Sequence, residues 1–506
     1  MNGVEPAAPA TPLVESARRP AGLRMNPASL LAQLRHVALF KAAQLVGMAL
    51  FTIAAPRLMG PALYGRFAVI LSFTMLWMAS SNLGARFVFG RFIPEYTTLG
   101  ETARVRGLFM QMLVLRLVVV AAVAPFFYLF LRRVLPEAST TTLLAAMGSL
   151  FAMTTGAAMF AVFYGLNQLG ASMGREAFSR YALLGLLFLF GAGSSLERAS
   201  LALLVTQTAG LAVGAWLCRD LFTLDRSESR MPAVLGHLRF GVVVFGANLL
   251  LRLPWRLGES ALALGGVEPA EIAFFSIALS APVAFTRLIG ETTTLQIPTL
   301  SLRQAAGDAS GRDRSLGLAL KYLTGAGVLF VLTAYALGPW AVRTFWGEQF
   351  LGVVPNLLLV APTALGVPYV RTALSLAVVE TRLARNLQLG LVAVGAFVAA
   401  AAALVPSFGS RGASAALVAA IGAAAVAASF QMRATGVLAA ARAGRHLAAA
   451  AAAGALLAAA GGSPLAAVAA AVVYGALLFA LGVVRRAELA ALAAGIWRPG
   501  SAASPS

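Results

Sequence analysis

Long apolar runs are the feature that most constrains the fold of this chain. Segments such as 113–131 and 389–405 are built almost entirely from apolar residues. At a helical rise of about 1.5 Å per residue, a run of this length crosses a hydrocarbon core of about 30 Å. A helix on the surface of a soluble protein would interrupt such a run with polar residues at helical period. The runs therefore predict membrane-spanning helices.

The composition supports the same class. The chain is 59% hydrophobic and only 11% charged, whereas soluble proteins are about 45–50% apolar and about 25% charged. The mean hydropathy is +0.83. We therefore expect an all-α, polytopic integral membrane protein of about 14 transmembrane helices, arranged as two pseudo-symmetric six-helix lobes plus two C-terminal helices. The predicted spans are 34–56, 64–84, 107–131, 141–165, 177–193, 199–217, 238–264, 272–300, 316–338, 351–379, 387–405, 412–432, 446–461 and 464–484.

These spans define the predicted domain organisation. It comprises a disordered cytosolic tail (1–30), an N-lobe with spans 1–6 (31–217), a cytosolic inter-lobe loop (218–237), a C-lobe with spans 7–12 (238–433), two extra helices (434–490) and a cytosolic tail (491–506). Span 10 (351–379) contains three prolines, and proline removes a backbone donor from a helix. We expect that span to bend or break.

A short internal repeat supports the two lobes. The turn between spans 1 and 2, Pro61–Phe67, and the turn between spans 7 and 8, Pro269–Phe275, share Pro, Ala, a small residue and Phe in register. The two turns stand six helices apart, as internal repeats of transporters do.

The basic residues predict the orientation. With a cytosolic N-terminus, 26 of the 39 lysines and arginines fall on inner segments and seven on outer loops. Basic residues favour the cytosolic side of a membrane. Both termini are therefore predicted to be cytosolic, with an even number of spans.

Several classes of function are excluded by the sequence. One cysteine and three widely separated histidines give no metal cluster. The formal net charge of +20 lies at helix ends and within spans instead of forming a soluble basic domain, so nucleic acid is not an expected partner. The sequence has no P-loop and no nucleophile with a nearby histidine. Neither enzymatic activity nor a cofactor is predicted.

Charged residues inside the spans are the candidate functional residues. Six cations are expected to contact substrate, and they are Lys41, Arg116, Arg252, Arg256, Arg287 and Arg371. Each costs about 2.5–3.5 kcal/mol at the centre of a lipid-facing helix, so we expect them to face a polar interior. For Lys41 and Arg371, snorkelling to the cytosolic interface is the structural alternative.

Two acids accompany these cations. Glu291 follows Arg287 by four residues and Glu259 follows Arg256 by three, so each acid shares a helix face with a basic residue. We expect an ion-pairing or coupling role for both acids. The remaining excess of positive charge favours an anionic substrate, because guanidinium groups bind phosphate oxygens bidentately.

Four segments resemble a known family. They are the turn at 56–67, which resembles the pattern R-x-L-G-P-x-x-Y-G with Met59 at the leucine position, the loop residues Asn82–Ala85 and Arg91–Glu95, the turn Leu264–Ser276, and the turn Pro406–Ala413. In order and spacing they are similar to the Wzx-like O-antigen and polysaccharide flippases of the multidrug/oligosaccharidyl-lipid/polysaccharide (MOP) exporter superfamily. The resemblance covers about residues 35–435.

The resemblance implies a function and partners. It implies a flippase of the bacterial inner membrane that moves an undecaprenyl-pyrophosphate-linked oligosaccharide outward by alternating access. Its partners would be this lipid-linked substrate, membrane lipids, and polymerase or assembly proteins of polysaccharide synthesis. The two extra C-terminal helices and the acids Glu268 and Glu271 depart from the family pattern. They leave open a relative such as a peptidoglycan-precursor flippase.

Two other functions remain as alternatives. A cation-coupled multidrug antiporter of the same superfamily would need cavity acids, and span 1 carries Lys41 instead. A membrane glycosyltransferase or polymer ligase would need acidic residues in a large outer loop, and the predicted outer loops are short.

Overall fold

The computed structural model describes residues 27–81, 84–166, 169–222, 245–246, 249–380, 382–460 and 463–484, and no β-strand occurs among them. The helices there are α1 (Pro27–Ser80), α2 (Ala85–Thr98), α3 (Thr102–Val134), α4 (Thr140–Gly165), α5 (Leu169–Leu189), α6 (Leu196–Leu217), α7 (Pro254–Leu264), α8 (Pro269–Ala305), α9 (Ala309–Phe345), α10 (Val353–Val360), α11 (Thr363–Val379), α12 (Leu383–Met432), α13 (Val437–Ala441), α14 (Ala443–Ala459) and α15 (Pro464–Ala480). Short 3₁₀ turns occur at Ala192–Ser194, Arg219–Leu221 and Glu348–Phe350. The all-α class is confirmed.

Two of the long helices are broken at a glycine. In α1 the backbone of Gly60 has φ 72° and ψ 168°, and in α12 that of Gly409 has φ 52° and ψ −128°. These dihedrals are readily adopted only by glycine, so the chain can reverse there without a loop. Each helix therefore supplies two membrane crossings, as predicted for 34–84 and 387–432.

Span 10 is interrupted where the prolines predict it. Helix α10 ends at Val360 and α11 begins at Thr363, with Ala361 and Pro362 between them. Proline lacks the N–H that would continue the helical ladder. The expected break is confirmed.

The described helices account for most of the predicted crossings. Eight helical segments are long and apolar enough to span a membrane, and two of them contain the glycine breaks. Three shorter apolar helices, Ala177–Leu189, Ala443–Ala459 and Pro464–Ala480, match the remaining predicted spans. Together they represent thirteen of the fourteen; the other, 238–264, lies partly outside the described residues.

The structure adds detail at the predicted boundaries. Residues 85–98 form helix α2 within a segment that the sequence analysis treated as a loop, and the Arg86 guanidinium stacks 3.8 Å from the Tyr164 ring. Helix α5 begins at Leu169, eight residues before the predicted span. The tail 491–506 and most of the segments 1–30 and 218–237 lie outside the described residues, and the lobe boundaries stay a prediction.

The two extra C-terminal helices pack on the second half of the chain. Val328 and Leu332 of α9 share a buried cluster with Ala449 and Ala453 of α14 and with Tyr474 of α15. Small residues let helix backbones approach closely in a membrane. In this cluster, the Tyr474 hydroxyl lies 3.0 Å from Nδ1 of His446, which holds α14 against α15.

The cap of α9 gives a pH-dependent prediction. The Asp308 carboxylate accepts hydrogen bonds from the Gly311 N–H (2.8 Å) and the Ser310 hydroxyl (3.1 Å), and the Gly311 bond holds the pKa of Asp308 below its usual value. A depressed pKa contributes stability above the unfolded-state pKa of about 4, and this is lost as pH falls through the folded-state value. We expect Asp308→Ala to lower the melting temperature more near pH 6 than near pH 3. An equal effect at both pH values would contradict this assignment.

Candidate functional site

The two halves of the chain meet where the repeated turns lie. A Cβ atom added at Gly65 would overlap the carbonyl of Pro269, so the turn Pro61–Phe67 packs directly on the turn Pro269–Phe275. The turns that the sequence identified as a repeat therefore contact each other across the interface between the halves. We call this end of the bundle the Gly60 end, and the opposite end, where α8 meets α9, the Asp308 end.

A further hydrogen bond closes the interface at the Gly60 end. The indole N–H of Trp346, just after α9, donates to the carbonyl of Thr52 in α1 over 2.8 Å. Beside the contact of the turns, a cavity of about 430 Å³ is lined by residues of both halves, among them Arg66, Glu137 and Ile272. Arg66 and Glu137 form an ion pair of 2.8 Å there. The halves are thus in contact at this end.

A buried polar cluster lies below that contact. The Ser72 hydroxyl of α1 is 3.1 Å from Oε2 of Glu259 and 3.1 Å from the carbonyl of Arg256, both in α7. The side chain of Ser276 in α8 hydrogen-bonds with both Glu259 and Tyr64. Glu259 is 5% exposed. Its carboxylate therefore joins the two halves, a contact that its spacing from Arg256 in the sequence did not reveal.

Three of the predicted cations form a group beside this cluster. Arg256 interacts electrostatically with Arg252, Arg287 and Glu259. Nη1 of Arg287 lies 3.6 Å from the sulfur of Met48 in α1, so this arginine reaches across to the first half. A thioether is only a weak acceptor. Among the residues whose side chains are described, Arg287 has no carboxylate partner; the side chain of Glu291 is outside that set.

Arg371 of α11 lies close to the helix that carries Arg287. A Cβ atom added at Gly290 of α8 would lie 3.4 Å from the Arg371 guanidinium carbon, one helical turn from Arg287. Arg371 is half-buried. We name the set Arg252, Arg256, Arg287 and Arg371 the central arginines.

Two arginines that the sequence analysis assigned to the cytosolic side lie inside α5. Arg180 stands 5.3 Å from the ring of Phe51, a buried residue of α1, and Arg175 stands 5.3 Å from the ring of Phe160 in α4. The predicted start of span 5 at residue 177 left Arg175 outside the helix, whereas Arg180 falls within the predicted span. Arg180 thereby adds positive charge at the interface that holds the central arginines.

The side chain of Arg116 is buried and does not line an open cavity. Its side chain is 2% exposed within α3, and Nη2 lies 3.5 Å from the carbonyl of Met78. Its electrostatic neighbour is Arg175. A substrate-binding role for Arg116 stays a prediction, although in this conformation the side chain lines no open surface.

Two predicted site residues are not described at the level of side chains. Lys41 lies in α1 and Glu291 in α8, but their side chains are outside the described residues. The expected pair of Arg287 with Glu291 is therefore neither confirmed nor contradicted. Among the described residues, no group of histidine, cysteine and acidic side chains could hold a metal ion.

Comparison with known proteins identifies the fold. No protein-family model matches the sequence. The search of curated proteins gives no match. The chain is similar to a multidrug resistance MATE family transporter of the MOP superfamily in an inward-facing conformation, with 13% identity and a TM-score of 0.63 over 77% of this chain and 93% of the other. It is also similar to the lipid II flippase MurJ in an inward closed conformation, with 11% identity and a TM-score of 0.59 over 90% of this chain and 100% of the other.

These likenesses show that the chain has the fold shared by a MATE transporter and MurJ. At 11–13% identity they show the fold alone. The match to MurJ extends over more of this chain than the match to the MATE transporter, and the chain carries two helices beyond its twelve predicted lobe helices.

Proposed function

We propose that this chain is a flippase that moves an undecaprenyl-pyrophosphate-linked oligosaccharide across the bacterial inner membrane by alternating access, with both termini in the cytosol. The observation that carries the proposal is the charge of the interface between the halves. Arg252, Arg256 and Arg287 lie beside Glu259 there, Arg180 lies against Phe51 of α1, and Glu259 already accepts a hydrogen bond from Ser72. A pyrophosphate group would match these guanidinium groups in charge and geometry.

The arrangement of the halves supports alternating access. The repeated turns are in contact at the Gly60 end, which is the periplasmic end in the predicted orientation. A transporter built from two repeats can expose one site to each side in turn by rocking the halves. The contact at Gly65 would then be the closed outer side of an inward-facing state, and an oligosaccharide would enter from the Asp308 end.

The cation-coupled antiporter is the second candidate. The likeness to a MATE transporter and the buried carboxylate of Glu259 favour it. A drug cation would nevertheless have to enter an interface with several guanidinium groups, and like charges repel strongly at low dielectric constant. A glycosyltransferase or ligase is the third candidate function, and no feature of the described residues supports it.

The test is transport by purified protein in proteoliposomes. We expect wild type to flip a lipid-pyrophosphate-linked oligosaccharide, and Arg252→Gln/Arg287→Gln to lower the rate at least about tenfold, since each lost charged hydrogen bond is worth about 1.5–3 kcal/mol. Arg343→Gln, at an exposed arginine near the Gly60 end, is the matched control. Flipping that is unchanged in the double variant would refute the role of the central arginines. Efflux of a cationic dye without flipping would favour the antiporter.

A further inference from the structure

Arg116 is a buried cation whose hydrogen-bonding groups are largely unused. The side chain is 2% exposed, and its Nε and Nη1 atoms are buried with no hydrogen-bond partner among the residues that the structure describes. The described contact of its third nitrogen, to the carbonyl of Met78, is long at 3.5 Å. A guanidinium group carries five N–H donors and stays charged in proteins. Such a group is strongly destabilised when it is removed from water without an anionic partner.

A second cation makes the position of Arg116 still less favourable. Arg175 of α5 acts on Arg116 with a like charge. Arg175 is held in place, because Nη2 donates to the carbonyl of Met153 over 3.1 Å and the guanidinium group lies against Gly156 at 3.4 Å. These two contacts hold the Arg175 side chain in its position, so it does not simply rotate away from Arg116.

Other unsatisfied polar groups lie on the helices that pack around this pair. The indole N–H of Trp77, next to Met78, and the hydroxyls of Thr154 and Thr155, which follow Met153, are buried and have no hydrogen-bond partner in the described part of the chain. Helix α4 packs on α1, α3 and α5, so these groups belong to the same half of the bundle. Each of them can donate a hydrogen bond.

We propose that Arg116 and Arg175 form a binding site for one small inorganic anion, such as chloride, inside the N-lobe. The anion would accept hydrogen bonds from Nε and Nη1 of Arg116 and would offset the repulsion between the two guanidinium groups. Because Arg116 is 2% exposed, a lipid headgroup or an oligosaccharide phosphate does not reach it in this conformation. The site is therefore separate from the central arginines, and it does not depend on the proposed flippase activity.

The experiment compares anions at constant ionic strength. Purified full-length protein in detergent is heated in sodium gluconate, sodium chloride or sodium bromide, and unfolding is followed by tryptophan fluorescence. We expect both halides to raise the melting temperature of wild type by a few degrees relative to gluconate. Arg116→Gln should remove this halide-dependent rise. Arg133→Gln, at an exposed arginine near the other end of α3, should retain it.

A second measurement guards against a variant that folds poorly. Bromide soaked into crystals of the wild-type protein should give an anomalous peak within hydrogen-bonding distance of the Arg116 guanidinium group. The proposal would be overturned if no such peak appeared while bromide occupied other sites in the crystal. It would also be overturned if Arg116→Gln showed the same halide response as the wild type. An unchanged melting temperature of wild type in all three salts would overturn it as well.

Discussion

Gly65→Leu is expected to hold the two halves apart at the Gly60 end and to abolish transport. The space that a side chain needs at position 65 is occupied by the backbone carbonyl of Pro269, which cannot swing aside as a flexible side chain could. Overpacking of this kind typically costs about 1–3 kcal/mol. Because about 1.4 kcal/mol corresponds to a tenfold change in an equilibrium, the closed state would lose about fivefold to about a hundredfold in population.

The matched control is Gly185→Leu. Gly185 is an exposed glycine of α5, and a Cβ atom added there meets nothing within 4 Å. This variant should transport like the wild type, since it introduces the same side chain into open space. A similar loss of transport in both variants would indicate a general effect of leucine on the helices instead of a steric block.

Accessibility gives a readout that does not require transport. Ile272 lines the cavity beside the contact and is 3% exposed, while the single native cysteine, Cys218, is buried and can be replaced by serine. A cysteine introduced at position 272 should react slowly with a membrane-impermeant thiol reagent when position 65 is the native glycine. It should react much faster when Gly65→Leu is added. Equal rates would mean that the turns are not a closing contact.

The breaks in the helices could be predicted because local chemistry decides them. The turn at Gly60 and the turn at Gly409 both fall within segments that the sequence analysis identified, and each requires a backbone conformation that glycine adopts. The break of span 10 at Pro362 follows from a missing donor in the same way. Helix count and class depend on such local features and on hydropathy, both of which are visible in one sequence.

The contacts of the site could not be predicted in the same way. That Ser72 meets Glu259, or that Arg287 reaches Met48, depends on how helices distant in sequence pack. Hydropathy also placed the start of α5 too late, because Arg175 and Glu176 lower the mean hydropathy of its first turns. Inclusion of Arg175 would have required knowledge of the Phe160 ring that it faces.

Arg312→Met is expected to cause the largest loss of stability. The Arg312 side chain is only 7% exposed, forms ion pairs with Asp313 (2.7 Å) and Glu380 (3.3 Å), and donates to the side chain of Gln304. It thereby joins the end of α8, the start of α9 and the end of α11. Asp313 in turn accepts a hydrogen bond from the N–H of Gly436 over 2.9 Å, which extends the network to the start of α13.

Removal of one partner from a buried network leaves the other charges uncompensated. Such a change typically costs about 3–5 kcal/mol. Glu380 keeps Arg385 (3.3 Å) and Arg382 (3.8 Å) as partners, so the lower end of that range applies, and Asp313 bears most of the loss. Unfolding in mixed micelles of mild and denaturing detergent measures the difference in free energy.

Arg314→Met is the matched control, because Arg314 lies two residues further along α9 and is exposed. Exposed substitutions of this kind change stability by no more than about 0.5 kcal/mol. The variant Arg312→Met/Asp313→Asn should recover part of the stability that Arg312→Met loses, since it also removes the uncompensated carboxylate. Equal losses of stability in Arg312→Met and Arg314→Met would mean that the network at the Asp308 end contributes no more than an ordinary surface ion pair. Additive losses of stability in the variant Arg312→Met/Asp313→Asn would mean the same.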